Sequence, residues 1–198
     1  MLLNKSLSTI VSRLKLSIEN GPGHQRWNLV SSDLPKAAVG VILAPDLRER
    51  ELTTLFVKRK NSPTDPWSGH MAFPGGRMKS GENLFETVRR EVLEETSIDI
   101  QKQEFLGTLA DLPTGNKSVI VSPFVFFASA QVSVTIEPHE IEDYVWIPIR
   151  FFSDKANIKK MKTEMSGVQR EFVSFPYQSS YVVWGMTLRI IDDMLARM

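Results

Sequence analysis

Apolar residues recur at helical spacing in three stretches of the chain, and between them they alternate with polar residues or run unbroken over short segments. From Asn4 to about Asn20, Leu7, Ile10, Val11, Leu14 and Ile18 fall three or four apart, with Lys5, Arg13 and Lys15 outside that row. This predicts an amphipathic helix, ended by Gly21-Pro22-Gly23. Lys36 to Ala44 and Leu52 to Arg59 read as strands, with a turn beginning at Pro45-Asp46. A turn-rich loop over 61–73 leads into a short strand. A central helix of about four turns follows, within the stretch from Gly76 to Ile98.

Beyond that helix, strands are predicted at Phe105 to Asp111, Val119 to Ala130 (broken by Pro123), Val132 to Ile136, Tyr144 to Ile147 and Phe172 to Phe175. A turn is expected at Pro113-Thr114-Gly115-Asn116. The last segment, Ser180 to Met198, holds another amphipathic helix, with Thr187, Ile191, Met194 and Met198 on one side and Leu188, Ile190 and Leu195 widening it. Strands around one central helix, with helices at both ends, predict an α/β (α+β) fold with a mixed sheet. One domain is expected: an N-terminal helix and connection over 1–30, then the main domain over 31–198. No repeat or low-complexity tract divides it.

The central helix carries the chemistry. At ~100° per residue, Glu91, Glu94 and Glu95 share one face. Phe85, Val88, Val92 and Thr96 form the neighbouring arc that would face a core. Like charges at these spacings cost roughly 0.2–0.5 kcal/mol per pair, and acids near a helix C-terminus oppose its dipole. A hard divalent cation would remove both penalties, since Mg²⁺ takes oxygen ligands from one or two carboxylates plus substrate phosphates. The plainer reading of such a cluster is a solvated acidic face with Arg89 and Arg90 as counter-charges.

Composition narrows the classes. With net charge +1, nothing marks a nucleic-acid footprint across the surface. The absence of cysteine excludes disulfides, thiolate metal sites and a Cys nucleophile. It is compatible with a reducing, cytoplasmic setting, which is the expected location. No apolar run approaches the ~20 residues needed to span a bilayer, and the first helix lacks the continuous apolar core of a signal peptide. Packing on its own domain or on a second subunit is the expectation for that helix, and a homodimer through it is one outcome.

Phe73-Pro74-Gly75-Gly76 feeds the loop, Gly81-Glu82 opens the helix, and Arg90 directly precedes the acids. Together these resemble the Nudix box, G-x5-E-x7-R-E-U-x-E-E-x-G-U, read here as Gly76, Glu82, Arg90, Glu91, Val92, Glu94, Glu95, Ser97 and Ile98. Every defined position matches except the last glycine, which is Ser97. That position lies just past the helix, where a left-handed backbone is common, so a local stability cost is expected with no loss of chemistry.

The resemblance implies an α/β/α sandwich and metal-dependent hydrolysis of a diphosphate linked to another group. It implies Mg²⁺ or Mn²⁺ held by Glu91 and Glu95, with Glu94 assisting and the Gly75 carbonyl as a further ligand. Arg90 would brace the glutamates, and Glu82 would support the loop near the helix start. Arg59, Gly76 and Arg77 would contact substrate, and Glu94 and Glu95 belong with Arg90 to the catalytic set. The general base would come from the box or from Glu137, Glu140 or Glu142, with Glu140 the first choice. The plainer reading of those three is a surface acidic turn. His70 and His139 are given no role.

Two stretches narrow the substrate. The run from Asp65 to Gly76, with Trp67, Ser68, Gly69, His70 and Met71 inside it, resembles the upstream signature of the coenzyme A pyrophosphatase branch. Val183-Trp184-Gly185-Met186-Thr187 resembles the opening of that branch's last helix. The branch cleaves coenzyme A to 3′,5′-ADP and 4′-phosphopantetheine. It usually shows an Arg-Ser ahead of the loop and a second Arg inside it, whereas here Arg59-Lys60-Asn61 stands near the first and Asp65 replaces the second. Other nucleoside diphosphate derivatives, such as ADP-ribose, NADH or a nucleoside triphosphate, are the alternative small-molecule substrates. A non-catalytic binding module typically loses acids of the box, and here all are present. No basic stretch with interleaved aromatics marks an RNA path.

Overall fold

The computed structural model describes residues 5–20, 33–62, 68–115, 118–165, 168–178 and 180–198. The Gly21-Pro22-Gly23 stop, Asp65 and Trp67 lie outside the described residues.

Helix α1 spans Lys5–Asn20. Strands β1 (Lys36–Asp46) and β2 (Glu51–Arg59) form an antiparallel pair joined by a short turn. Two short strands, β3 (Met71–Ala72) and β4 (Gly75–Arg77), precede helix α2 (Leu84–Thr96). After it come β5 (Glu104–Thr108), β6 (Leu112–Pro113), β7 (Ile120–Phe127) and β8 (Ile141–Pro148). Strands β9 (Lys159–Met165), β10 (Val168–Tyr177) and β11 (Tyr181–Trp184) lead to helix α3 (Gly185–Leu195).

The main sheet has eight strands with a backbone order β3-β2-β1-β7-β5, and β9, β10 and β11 form a separate antiparallel sheet. β1 and β7 pair in parallel at the centre while their other partners are antiparallel, so the sheet is mixed. Alternation along the strands splits the core into two layers. Val41, Leu43 and Phe56 face one side, with Leu7, Val11, Leu14 and Ile18 of α1 and Leu188, Ile191 and Met194 of α3. Ala38, Ile42, Leu55 and Phe126 face the other, with Val88 and Val92 of α2. The three layers are the expected α/β/α sandwich. The apolar row of α1 is used inside its own domain, so that face is not available to a second subunit or a lipid surface. Among the described residues no helix is long and apolar enough to cross a membrane.

Several expectations need correction. Val132 to Ile136 is not a strand. Val132 and Val134 do pack on the α2 layer, but the backbone partners belong to a helix end: Thr135 N–H donates to Thr96 O at 3.0 Å and Glu137 N–H to Glu95 O at 3.2 Å. Those carbonyls are among the last of α2, which have no partner within the helix. Pro123 does not break β7. It sits where the neighbour changes from β6 (Leu112 opposite Val121) to β5 (Thr108 opposite Phe124), and its carbonyl accepts from Leu109 N–H at 3.0 Å. Phe85 leaves the core-facing arc: it is 37% exposed and meets Phe105 and Phe124 edge-on. The last segment opens with β11 before its helix, and β9 has no counterpart among the predicted strands.

The helix that carries the acids is well anchored at both ends. Asn83 caps it: its side chain accepts from Glu86 N–H at 2.9 Å, and Glu86 accepts from Asn83 N–H at 2.8 Å. This is a reciprocal capping box. Ser97 ends the helix in the left-handed region, at φ 59°, where a Cβ is unfavourable and glycine is not. Ser97→Gly is therefore expected to stabilise the protein by about 1 kcal/mol. Chemical denaturation of the two proteins reads this directly, and an unchanged midpoint would remove the strain argument.

Candidate active site

The site begins where β4 lies against β1. Gly75 is opposite Val39 and Gly76 opposite Ala38, and the turn before them is fixed by Gly40 N–H donating to Pro74 O at 2.8 Å. Both glycines are required by close approaches. A Cβ on Gly75 would lie 2.3 Å from Ala38 O, and one on Gly76 would lie 2.5 Å from the Glu91 carboxyl carbon. The Gly-Gly pair thus lets the strand press on its neighbour on one side and on the α2 acids on the other.

Arg90 organises those acids. Its Nε donates to Glu82 Oε1 at 2.5 Å, Nη1 to Glu91 Oε1 at 2.7 Å and to Glu94 Oε2 at 3.2 Å, and Nη2 to Arg77 O at 3.2 Å. Glu82 also accepts from Lys79 N–H and Thr87 Oγ1, both at 3.0 Å. The Arg90 guanidinium, with the Lys79 N–H, holds the Glu82 carboxyl down at about 2. The same glutamates push the Arg90 pKa further up. One arginine therefore ties the loop, the helix start and two of the three clustered acids together.

Glu95 departs from the helical-wheel expectation, which kept all three acids off the buried stripe. It is 2% exposed, enclosed by β4 and by the 137–140 turn that rests on the end of α2. Its Oε2 accepts from Gly75 N–H at 2.9 Å, and its Oε1 stands 3.7 Å from Arg59 Nη1. Burial raises its pKa to about 8, with the charges of Glu91 and Glu140 adding to the rise and Gly75 and Arg59 opposing it. Glu140 is exposed and is brought to this end of the helix by its own carbonyl, which accepts from Lys60 N–H at 2.8 Å. Glu142 is engaged instead with Lys58 at 2.7 Å. The Glu137 side chain accepts from His139 N–H.

The arrangement gathers Arg59, Gly75, Gly76, Arg90, Glu91, Glu95 and Glu140 at one end of the sheet. Glu94 is exposed beside Arg90. Arg77 gives its carbonyl to Arg90, but its side chain lines an open groove with Asp33 and Lys36. The capping role of Asn83 and Glu86 was not singled out in the sequence, although an Asn followed by a Glu three positions later is a recognised helix-start signal. Among the described residues no three His, Cys, Asp or Glu side chains form a ready metal cage, and Arg90 pairs with Glu91 and Glu94. The donor set still fits a hard divalent cation. A buried carboxylate with its nearest cation at 3.7 Å lies one helical turn from a second carboxylate seated against a bare Gly76, and Mg²⁺ needs only one or two carboxylates when phosphates supply the rest.

A mixed-sheet sandwich that presents helix-borne acids to a Gly-Gly strand defines a class of domain suited to anionic, phosphate-bearing ligands. The family model of the NUDIX domain matches residues 34–168, and the chain belongs to the Nudix hydrolase family. The chain is 27% identical over 190 residues to the Nudix hydrolase NudL of Photorhabdus laumondii, covering 96% of each protein. It is 35% identical over 103 residues to a Schizosaccharomyces pombe protein, a match that spans 48% of this chain and only 31% of that protein. In fold it resembles a MutT/nudix family protein of Enterococcus faecalis, with a TM-score of 0.56, 16% identity, and coverage of 100% of this chain and 75% of that one.

Proposed function

We propose that the protein hydrolyses the diphosphate bond of a nucleoside diphosphate derivative with Mg²⁺ or Mn²⁺, and that coenzyme A or an acyl-CoA is its substrate, cleaved to 3′,5′-ADP and 4′-phosphopantetheine. The observation that carries the reading is Glu95: a buried carboxylate, raised to about 8, facing a glycine strand with Glu91 one turn away. Glu91 and Glu95 would hold the cation, with Glu94 and the Gly75 carbonyl completing its protein ligands. Bound there, the ion supplies charge neutralisation for the diphosphate and a lowered pKa for the attacking water. Arg90 keeps Glu91 and Glu94 oriented, and Arg59 offers a cation to the phosphates. Glu140, exposed at the mouth, takes the water's proton. Gly76 leaves the Glu91 carboxyl room against the glycine strand that faces the diphosphate, and Arg77 reaches the more distant part of the substrate. The upstream run that includes Gly69, His70 and Met71, together with Val183-Trp184-Gly185, supports the coenzyme A reading.

Product analysis with Mg²⁺ or Mn²⁺ tests this on a panel of coenzyme A, acetyl-CoA, ADP-ribose, NADH, a diadenosine polyphosphate and a nucleoside triphosphate. Release of 3′,5′-ADP from coenzyme A is the expected result. A higher kcat/KM on ADP-ribose or NADH would overturn the substrate and leave the hydrolase standing. Inactivity on the whole panel would overturn both.

A further inference from the structure

Two features have no part in the diphosphate chemistry just described: His70, and the Trp184-Gly185 corner at the start of α3. The fold brings them together. The rings of His70 and Trp184 meet edge-on with centroids 4.8 Å apart, and Phe172 of β10 meets Trp184 at 5.2 Å and a tilt of 57°. All three side chains are half-buried. Neither of these neighbours lies parallel to the indole, so among the described residues no aromatic ring stacks on it face to face.

Hydrogen bonds tie the cluster to Arg59, whose side chain meets the buried acid. Trp184 is fixed in register opposite Ser174 as the last residue of β11. Thr187, one turn on, donates to Met71 O at 3.0 Å in a buried hydrogen bond, pinning α3 to the residue after His70. His70 O in turn accepts from Arg59 N–H at 3.0 Å, and Arg59 Nη1 stands 3.7 Å from Glu95. A strand spacing of about 4.8 Å separates the backbones of Arg59 and His70, and the Arg59 side chain spans the way to the buried carboxylate. The indole and the buried carboxylate thus flank the same residue pair, Arg59 and His70, from two sides of the chain path.

We propose that Trp184, held by His70 and Phe172, is the stacking platform for the nucleobase of the substrate. The inference rests on the reading of the site as one for nucleoside diphosphate derivatives, and it names the residue that recognises the base. Aromatic stacking tolerates any base, because each has a π face. This platform therefore supplies affinity for a nucleotide, while the choice among bases lies elsewhere.

The test is calorimetric titration of wild type, Trp184→Leu and Trp184→Phe with ADP in buffer containing Mg²⁺, with melting temperatures measured alongside. Trp184→Leu is expected to raise the Kd for ADP roughly 5- to 150-fold, and Trp184→Phe, which keeps an aromatic face, is expected to bind within about threefold of wild type. On any substrate turned over, the leucine variant raises KM and leaves kcat unchanged. ADP binding by the leucine variant within twofold of wild type would overturn the proposal. So would equal losses in both variants, or no ADP binding to the wild type at millimolar concentration. ADP binding that depends on Trp184, in a protein that hydrolyses nothing on the panel, would uphold the platform and sink the hydrolase reading.

Discussion

Glu95→Gln is expected to lower diphosphate hydrolysis by on the order of 10³-fold or more and to leave the protein folded. Charge stabilisation by a catalytic cation is worth several kcal/mol, and each 1.36 kcal/mol is about tenfold in rate. An amide at this position gives up the anionic ligand while keeping its shape and an oxygen for Gly75 N–H. It also removes a charge that the interior disfavours, since burial already holds the carboxyl near 8. Rates and melting curves on the same preparations decide the matter. Activity lost together with a fall of many degrees in Tm would make Glu95 a structural residue, and activity retained would remove it from the site.

The second large effect is a dependence of metal affinity on pH. Below about 8 the Glu95 carboxyl is protonated in the metal-free fold, so a cation must displace that proton, and binding releases it. Affinity for Mg²⁺ is then expected to rise about tenfold per pH unit below about 7 and to level off around 8, a gain of about 50-fold from pH 6 to pH 8. Stability of the metal-free protein runs the opposite way. From 4.5, the ordinary value, up to about 8 the folded state holds more protons at Glu95 than the unfolded chain does, so this contribution is full below 4.5 and is lost as pH rises. Glu82 acts in the acid range: its pKa near 2 makes its contribution present above 4.5 and lost as pH falls through about 2. Melting temperatures with chelator and with Mg²⁺ at pH 6 and pH 8 read both effects. A stabilisation by Mg²⁺ that does not grow with pH would contradict the buried, protonated carboxyl.

What could be read in the sequence was what fixed spacing or strong alternation announces. The acids, Arg90 and the glycines stood out because their spacing is set by one helix and one loop, and β1, β2 and α1 carry apolar patterns that local geometry alone explains. The burial of Glu95 was not legible, since it depends on β4 and the 137–140 turn, segments distant in sequence that close over the helix end. Strand β9 was missed because Lys159, Lys160 and Lys162 give it no apolar row, and its pairing with β10 supplies what its composition lacks. The opposite error occurred at Val132, Val134 and Ile136. Their alternation is that of a half-buried extended segment, but its hydrogen bonds go to helix carbonyls, which periodicity cannot reveal. His70 and Trp184 gave no signal as a pair, being more than a hundred positions apart.

The parallel pairing of β1 with β7 has a temporal consequence. Arg59, the glycine strand and all of α2 lie in the crossover between those two strands, so the sheet that frames the groups gathered around Glu95 is complete only after the chain has closed one of its longest loops. Contacts of such long sequence separation form slowly relative to local ones. Helix α2 can form early, but by itself it is only a row of repelling charges. During synthesis the whole stretch through Phe127 must emerge before β7 can complete that pairing, so the central sheet that frames the site is assembled late.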